Sequence, residues 1–278
     1  MKIHLAKRAG FCFGVRRAID IALKIAGTKK GKVYTLGPII HNPQVIKMLR
    51  EKGIIPIEDF RKRKGISSLI IRTHGIPLQL FREIQDSGCE IIDATCPFVK
   101  KAHYYAKLLR EEGYQVVIVG EKDHPEVRGL ISYAGDDGII VDGKTLLPDI
   151  RKKVGIVVQT TQPLEVLKKV LSDITEHAKE IKVYNTICNS TALRLRETEE
   201  LARKADVMIV VGGKNSANTT QLARLCLSLS VPTYHIETAS EIRKSWFKGM
   251  KRIGITAGAS TPEWIIQAAE KKIRDTGG

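Results

Sequence analysis

The stretch Ala9-Gly10-Phe11-Cys12-Phe13-Gly14-Val15 joins a short apolar run, residues 3–6, to a segment with helical periodicity, residues 15–23. The apolar run predicts a β-strand, and the periodic segment predicts an α-helix. Cys12 would lie on the turn between them, where backbone N–H groups and the positive end of the helix dipole favour a thiolate. Glycines on both sides allow the backbone to approach another group closely. Taken alone, Cys12 is either a structural thiol or a ligand.

The unit of strand, loop and helix that begins here recurs along the chain. Further strands are predicted at residues 32–36, 68–72, 90–92, 115–119, 154–158, 182–186, 207–211 and 252–255. Each is followed by a loop and then by a segment with helical periodicity. Strands that are apolar throughout and alternate with helices indicate parallel sheets covered on both faces. The sequence therefore predicts an α/β fold.

Most of the residues that could carry chemistry fall in the loops after these strands. In parallel sheets, ligands bind beyond the carboxyl ends of the strands, which is where these loops lie. The loop residues are His41, His74, His124, Glu126, Thr160, Ser216, Asn218 and Ser260, together with Cys12, Cys96 and Cys188. Cys89, by contrast, precedes a predicted strand and Cys226 lies within a predicted helix, so we interpret both as structural thiols.

The histidines, hydroxyls and asparagine of these loops are suited to binding an anion. Backbone N–H groups and helix dipoles at the helix N-termini would face the same place. A phosphate or diphosphate is the natural ligand, although each histidine alone could equally cap a helix or lie on the surface. The turn Gly212-Gly213-Lys214-Asn215-Ser216 superficially resembles a phosphate-binding loop but lacks its full spacing, so nucleotide hydrolysis is not predicted.

Three cysteines at equivalent loop positions suggest a soft-metal centre. Three thiolates around a tetrahedral ion or a cubane cluster leave one position open, which a catalytic centre requires. Glu126 would then be a nearby proton donor. Because Cys12, Cys96 and Cys188 are tens of residues apart, their spacing leaves three interpretations open. These are an iron–sulfur enzyme, a zinc enzyme, and a metal-free basic protein that binds phosphorylated ligands or RNA.

Composition narrows the classes of protein further. The 278 residues are 43% hydrophobic and 27% charged, which is typical of a folded protein with room for two or three small domains. No apolar run approaches the roughly 20 residues of a membrane span, and no signal-type segment follows the N-terminus, so we expect a cytoplasmic protein without a membrane partner. The five cysteines include no CxxC pair and argue against a disulfide framework.

The net charge of +16 indicates either an anionic partner or a highly soluble surface. Aromatic residues make up only 5% of the chain and form no basic–aromatic ladder along the sequence, so no nucleic-acid partner is predicted. The run Arg61-Lys62-Arg63-Lys64 is interpreted as a solvated turn. A phosphorylated small molecule or an acidic protein donor fits the charge.

Several motifs taken together resemble one enzyme family. They are AGFCFGVRRA at residues 9–18, YTLGPIIHNP at 34–43, RTHG at 72–75, DATCP at 93–97, QTT at 159–161 and TAGAS at 256–260. Spread over essentially the whole chain, they resemble the 4-hydroxy-3-methylbut-2-enyl diphosphate reductases, the iron–sulfur enzymes that end the non-mevalonate isoprenoid pathway. The resemblance implies an oxidoreductase that removes the allylic hydroxyl of its diphosphate substrate with two electrons and two protons. The implied products are isopentenyl and dimethylallyl diphosphate.

The resemblance also implies an architecture and a cofactor. Three pseudo-equivalent small α/β domains with mainly parallel sheets would form a trefoil around a central iron–sulfur cluster. The expected domains are residues 14–96, 97–186 and 187–271, with residues 1–13 as an N-terminal strand and cluster loop. A [4Fe–4S] cluster would be held by Cys12, Cys96 and Cys188, with its fourth iron open to substrate. Reduced ferredoxin or flavodoxin is the expected electron donor.

Individual residues match positions that act on the substrate in this family. Those that match diphosphate-binding positions are His41, His74, His124, Ser216, Asn218 and Ser260. His124 also matches a position linked to proton supply, Glu126 matches the acid that serves the leaving hydroxyl, and Thr160 matches the hydroxyl that orients it. Ala217 stands where the family often has a serine, so a backbone N–H would replace one hydroxyl contact to the diphosphate. We expect this difference to weaken substrate binding modestly.

Overall fold

The chain alternates strands and helices, and a computed structural model describes it over residues 1–28, 31–40, 42–63 and 65–276. Within these residues the strands form three four-stranded sheets, in which all neighbouring strands are parallel. Helices cover the sheets, because strands buried on both faces need apolar partners on both sides. The predicted α/β fold is confirmed.

The bounds of the elements follow. The strands are β1 (Lys2–Leu5), β2 (Val33–Leu36), β3 (Ile54–Ile57), β4 (Ser68–Ile71), β5 (Glu90–Asp93), β6 (Gln115–Val119), β7 (Ile139–Val141), β8 (Lys153–Val158), β9 (Glu180–Tyr184), β10 (Val207–Val211), β11 (Thr233–Ile236) and β12 (Arg252–Ala257). The helices are α1 (Phe13–Thr28), α2 (Pro43–Glu51), α3 (Leu78–Asp86), α4 (Pro97–Glu111), α5 (Pro125–Ala134), α6 (Leu164–Thr175), α7 (Asn189–Ala202), α8 (Ala217–Ser228) and α9 (Glu263–Thr276). Short 3₁₀ segments lie at Ala239–Glu241 and Lys244–Phe247.

One compact unit comprises Met1–Arg16, Ile40–Glu51 and Asn189–Gly278. Its sheet has the strand order β1-β12-β10-β11, so β10 and β12 are central. Apolar side chains of α9 pack on one face of this sheet. Side chains of α7 and α8 pack on the other face. The central strands are therefore buried on both sides, and the loops that follow them are fixed by the sheet.

A second unit comprises Arg17–Ile39 and Lys52–Cys188 and contains two sheets. Their strand orders are β3-β2-β4-β5 and β7-β6-β8-β9. In the latter sheet, α4 and α5 pack on one face, and α6 packs on the opposite face. The register pairs Val119 at the end of β6 with Val158 at the end of β8, so the loops after these two strands begin at the same level of the sheet.

The strand predictions differ from the structure mainly at sheet edges. β6 and β10 have the predicted bounds, whereas β9 begins at Glu180 and ends at Tyr184, two residues before the predicted segment. The strands β3, β7 and β11 were not predicted. All four lie at an edge of their sheet and are only partly buried. The three domain boundaries and the trefoil remain predictions.

Candidate active site

The loops at the carboxyl ends of the second unit's strands carry six of the predicted site residues. His74 follows β4, Cys96 follows β5, His124 and Glu126 follow β6, Thr160 follows β8, and Cys188 follows β9. Each loop leads into a helix, so the helix N-termini and their N–H groups lie at these same strand ends. Two of these residues start helices directly, because Cys96 is the N-cap of α4 and His124 is the N-cap of α5.

Glu126 and Thr160 form a buried pair in this unit. The backbone N–H of Thr160 donates to Glu126 Oε1 at 2.7 Å, and the Thr160 hydroxyl donates to Oε2 at 2.9 Å. The exposed fraction is 1% for Glu126 and 5% for Thr160. Burial disfavours the carboxylate and raises the pKa of Glu126 to about 7, although both hydrogen bonds from Thr160 act in the opposite direction. A carboxyl group with this pKa can hold or release a proton near neutral pH.

His124 stands beside this pair at the start of α5. Its Nδ1 accepts a hydrogen bond of 3.2 Å from the backbone N–H of Glu126. Since Nδ1 is the acceptor, the neutral ring carries its proton on Nε2. The rings of His124 and His74 meet edge to face, with their centroids 5.5 Å apart and their planes at 88°. The structure thus brings together two of the histidines that the sequence singled out.

The two cysteine loops of this unit are held by backbone hydrogen bonds. The N–H of Cys96 donates to the carbonyl of Thr73, and the N–H of Cys188 donates to the carbonyl of Thr160, each at 2.9 Å. Both cysteines are half-buried. The loop of Cys96 is therefore bonded to Thr73, the residue before His74. The loop of Cys188 is bonded to Thr160, which pairs with Glu126.

Gln159 is a buried residue to which the sequence assigned no role beyond the QTT motif. Its side chain is 1% exposed. Oε1 accepts from the backbone N–H of Glu121 at 2.9 Å, and Nε2 donates to the Thr161 hydroxyl at 2.9 Å. A Cβ on Gly120 would lie 2.9 Å from Oε1, so the glycine allows this close approach. Gln159 thus joins the loop after β6, which leads to Glu126, to the loop after β8, which carries Thr160.

In the first unit, Ser216, Asn218 and Ser260 gather around the N-terminus of α8. Ser216 is the N-cap of this helix, and the Ser260 hydroxyl donates to the Ser216 hydroxyl at 3.3 Å. The three side chains are between 6% and 7% exposed. Within the described part of the chain, Asn218 Nδ2 is buried and has no hydrogen-bond partner. A buried donor without a partner is costly, so it indicates a place for an acceptor.

Cys12 is linked to this group through Ala259. The backbone N–H of Cys12 donates to the Ala259 carbonyl at 3.2 Å, and the Ala259 N–H donates to Asn218 Oδ1 at 2.9 Å. Cys12 is half-buried, and its carbonyl accepts the first hydrogen bond of α1, from Arg16. Gly10 adopts φ = +97°, and a Cβ there would lie 3.3 Å from the Thr261 carbonyl. Gly10, two residues before Cys12, therefore allows the close backbone approach that the sequence predicted.

Cys89 and Cys226 are buried, as expected of structural thiols. Cys89 lies just before β5, and Cys226 lies within α8. Burial raises the pKa of the Cys226 thiol to about 12, so it stays protonated and is a poor ligand. Cys89 and Cys226 are therefore more deeply buried than the three predicted cluster ligands, Cys12, Cys96 and Cys188.

His41 lies outside the described residues. Over residues 1–28, 31–40, 42–63 and 65–276, no three His, Cys, Asp or Glu side chains are grouped so that they could hold a metal ion. The cysteine ligand set remains a prediction. None of the helices in the described segments combines the length and apolar character needed to span a membrane.

The profile of the LytB protein family matches residues 3–274. A 4-hydroxy-3-methylbut-2-enyl diphosphate reductase of Pelobacter propionicus is 51% identical, with 98% of each chain covered. The reductase of Aquifex aeolicus with the same name is 47% identical over 98% of this chain and 96% of its own.

Solved structures agree with these sequence relatives. One, described as the (E)-4-hydroxy-3-methyl-but-2-enyl diphosphate reductase that is the terminal enzyme of the non-mevalonate pathway, is 47% identical with a TM-score of 0.74. It covers 98% of this chain and 99% of its own. An E-1-hydroxy-2-methyl-but-2-enyl-4-diphosphate reductase from Plasmodium falciparum is 30% identical with a TM-score of 0.89, covering 95% of this chain and 85% of its own.

Proposed function

This chain belongs to the LytB protein family, and we propose that it reductively removes the allylic hydroxyl of (E)-4-hydroxy-3-methylbut-2-enyl diphosphate. The substrate takes up two electrons and two protons, its C–O bond breaks, and water leaves. The remaining five-carbon unit becomes isopentenyl or dimethylallyl diphosphate. This is the last step of the non-mevalonate isoprenoid pathway. The observation that carries the proposal is the buried Glu126, with a pKa of about 7, hydrogen-bonded to Thr160.

Glu126 supplies the proton that the leaving hydroxyl needs. Hydroxide is a poor leaving group, and protonation of the oxygen as the C–O bond breaks lowers the barrier. When Glu126 is protonated, its O–H donates to Thr160 Oγ and the Thr160 hydroxyl donates onward to the substrate hydroxyl. Glu126 Oε2 and Thr160 Oγ1 are 2.9 Å apart, which is the hydrogen-bond distance that this relay requires. Thr160 orients the substrate oxygen by the same hydrogen bond.

His124 acts at the diphosphate, at a position that the family resemblance links to proton supply. Its Nδ1 is occupied by the Glu126 N–H, so Nε2–H is the donor that it offers to a phosphate oxygen. His74 lies against the His124 ring and offers a second imidazole to the same anion. We include His41 in this set from the family resemblance.

Ser216, Ala217, Asn218 and Ser260 bind the diphosphate at the N-terminus of α8. The first N–H groups of a helix have no acceptor within the helix, and they attract anions. Ala217 is the first residue of α8, so its backbone N–H replaces the hydroxyl that a serine would offer. The unpartnered Nδ2 of Asn218 is a further donor for a phosphate oxygen.

An iron–sulfur cofactor belongs to this family, and we assign its ligands to Cys12, Cys96 and Cys188. These thiols lie half-buried on loops at strand ends, and their backbone N–H groups are held by carbonyls. Thiolates are the usual ligands of iron–sulfur clusters, so the donor set fits. A [4Fe–4S] cluster with one open iron would supply electrons and Lewis acidity. Ferredoxin or flavodoxin is the proposed source of those electrons.

Iron content tests the ligand assignment. Cys96→Ser should lose most of the iron bound per chain after anaerobic purification. Cys226→Ala should retain that iron, because Cys226 is a buried residue of α8. Equal iron content in both variants would remove Cys96 from the ligand set.

The reaction itself is tested with the purified wild-type chain under anaerobic conditions. Reduced methyl viologen and the hydroxylated diphosphate should give both five-carbon products in a ratio that the enzyme sets. A brown chromophore is expected in the absorption spectrum before substrate is added. A colourless, zinc-containing preparation without product, or a metal-free one that binds polyanions, would replace this function with one of the other two interpretations.

A further inference from the structure

The second unit carries a partly exposed cluster of tyrosines and lysines that the proposed reaction does not use. Its members, here called the tyrosine–lysine face, are Lys101, Tyr104, Tyr105, Tyr114, Lys182 and Tyr184. These residues come from three separate segments of the sequence, which is why no continuous basic–aromatic ladder was visible there. The fold assembles them from α4, β9 and the turn before β6.

Stacked rings join the two elements of this face. Tyr105 on α4 and Tyr184 at the end of β9 have ring centroids 3.9 Å apart and planes at 7°. The Tyr104 ring lies 5.5 Å from Tyr105, and Tyr104 is 61% exposed. An exposed aromatic ring next to a rigid aromatic stack is typical of protein interfaces, where tyrosine is enriched.

Lysine side chains lie around these rings. Lys101 Nζ is 5.6 Å from the Tyr105 ring, and Lys182 Nζ is 5.5 Å from the Tyr184 ring and 5.8 Å from that of Tyr114. Lys182 also forms an ion pair of 2.5 Å with Glu112. Within the described segments, Lys101 is exposed and forms no ion pair with a carboxylate. Its charge is available to an outside partner.

The face lies close to the loops of two proposed cluster ligands. Cys96 is the N-cap of α4, and Lys101 is five residues further along this helix, roughly 8 Å along its axis. Tyr184 is the last residue of β9, and the chain continues from it to Cys188. The stack of Tyr105 on Tyr184 therefore connects the two elements that lead to Cys96 and Cys188.

We propose that the tyrosine–lysine face docks an acidic, one-electron carrier protein. The inference rests on the proposed function, which consumes two electrons per turnover. Two reduced carrier molecules would each give up one electron in successive encounters, and the substrate takes up both electrons with two protons. A carboxylate on the carrier pairs with Lys101, while the chain's net charge of +16 steers the encounter. Small, transient interfaces of this kind are typical of redox partners.

The test compares two reductants on the same variants. Lys101→Glu reverses one charge of the face, and Lys168→Glu is the matched control, because Lys168 is exposed on α6 at the opposite side of the same sheet. With a reduced plant-type ferredoxin at low salt, Lys101→Glu should lower kcat/KM by roughly ten-fold, and the loss should shrink as salt is added. With reduced methyl viologen, both variants should match the wild type. Tyr104→Ala should reproduce the pattern with a weaker salt dependence.

Direct binding gives a readout that is independent of turnover. Oxidised ferredoxin titrated into wild-type and variant protein in a calorimeter should bind about ten-fold more weakly to Lys101→Glu, and equally to Lys168→Glu. Equal affinities and equal ferredoxin kinetics in both variants would overturn the docking site, as would loss of viologen-driven turnover in Lys101→Glu. Binding of single-stranded RNA, instead of ferredoxin, through Lys101 and Tyr104 would also overturn it. A wild-type chain that forms no product with either reductant would contradict the proposed function instead.

Discussion

The carbonyl of Thr160 accepts a hydrogen bond of 2.9 Å from the backbone N–H of Cys188. The N–H and hydroxyl of the same residue donate to the buried carboxyl of Glu126. Thr160 therefore ties the acid to the loop of a proposed cluster ligand. Because β8 and β9 are neighbours in one sheet, their pairing fixes this connection, and small changes in the loop after β8 will be felt at both groups.

Glu126→Gln tests the acid without removing its hydrogen bonds. The amide oxygen still accepts from the Thr160 N–H, and the amide nitrogen donates to the Thr160 hydroxyl, so the fold is retained. The proton for the leaving hydroxyl is lost, and kcat should fall by roughly 100-fold or more. Product formation with reduced viologen measures the change. Glu165→Gln, the same substitution at an exposed position of α6, serves as control; turnover at the wild-type rate in Glu126→Gln would remove the acid role.

The raised pKa of Glu126 also makes stability depend on pH. The folded chain holds this proton more tightly than the unfolded chain, since burial raises the pKa from 4.5 to about 7. The contribution is fully present below pH 4.5 and is lost as the pH rises through 7. The free energy of unfolding should therefore fall by up to about 3 kcal/mol over this range, at about 1.4 kcal/mol per pH unit.

Urea unfolding of the wild type and Glu126→Gln at a series of pH values checks this dependence. The amide does not titrate, so the difference between the two stability curves should equal the pH-dependent contribution of Glu126 to the free energy of unfolding. Parallel curves between pH 5 and pH 8 would mean that Glu126 has an ordinary pKa in the folded chain.

Sequence reasoning located this site through strand ends and could not have located its pairings. β6 and β10 are central strands of five consecutive buried residues, and a continuous apolar run predicts such strands well. The edge strands β3, β7 and β11 are only three or four residues long, so they give a weaker signal. Glu126 and Thr160 are 34 positions apart, and only the register of β6 on β8 brings their loops together. The role of Gln159 depends on that same register.

Asn218→Asp separates the two functions of this side chain. Oδ1 accepts the Ala259 N–H, which aspartate preserves, whereas Nδ2 is the unpartnered donor that we assign to a phosphate oxygen. A carboxylate there repels the anion and offers no donor, so affinity for inorganic diphosphate should fall by roughly 10- to 100-fold. Calorimetry measures the binding, and circular dichroism checks the fold. Gln267→Glu, on the exposed side of α9, adds the same charge as a control; unchanged diphosphate affinity in Asn218→Asp would exclude this contact.

Gly258→Ala should damage the same region through packing rather than charge. A Cβ on Gly258 would overlap Oγ1 of Thr219 and lie 3.0 Å from its Cβ, and Thr219 is fully buried. Overpacking of this kind costs about 1–3 kcal/mol of unfolding free energy. Removing the Thr219 hydroxyl and methyl should relieve most of the overlap, so Thr219→Ala combined with Gly258→Ala should be more stable than the sum of the single changes by about 1 kcal/mol.

Urea unfolding of the four chains in this double-mutant cycle measures that interaction. Gly27→Ala is the matched control, since a Cβ there meets no atom within 4 Å and Gly27 lies in α1. It should stabilise the chain by about 0.5 kcal/mol at most, because alanine loses less backbone entropy than glycine in a helix and Gly27 lies in the last turn of α1. If Gly258→Ala behaved like Gly27→Ala, or if its cost simply added to that of Thr219→Ala, Gly258 would not be required for the close approach of β12 and α8. The glycine of the TAGAS motif would then need another explanation.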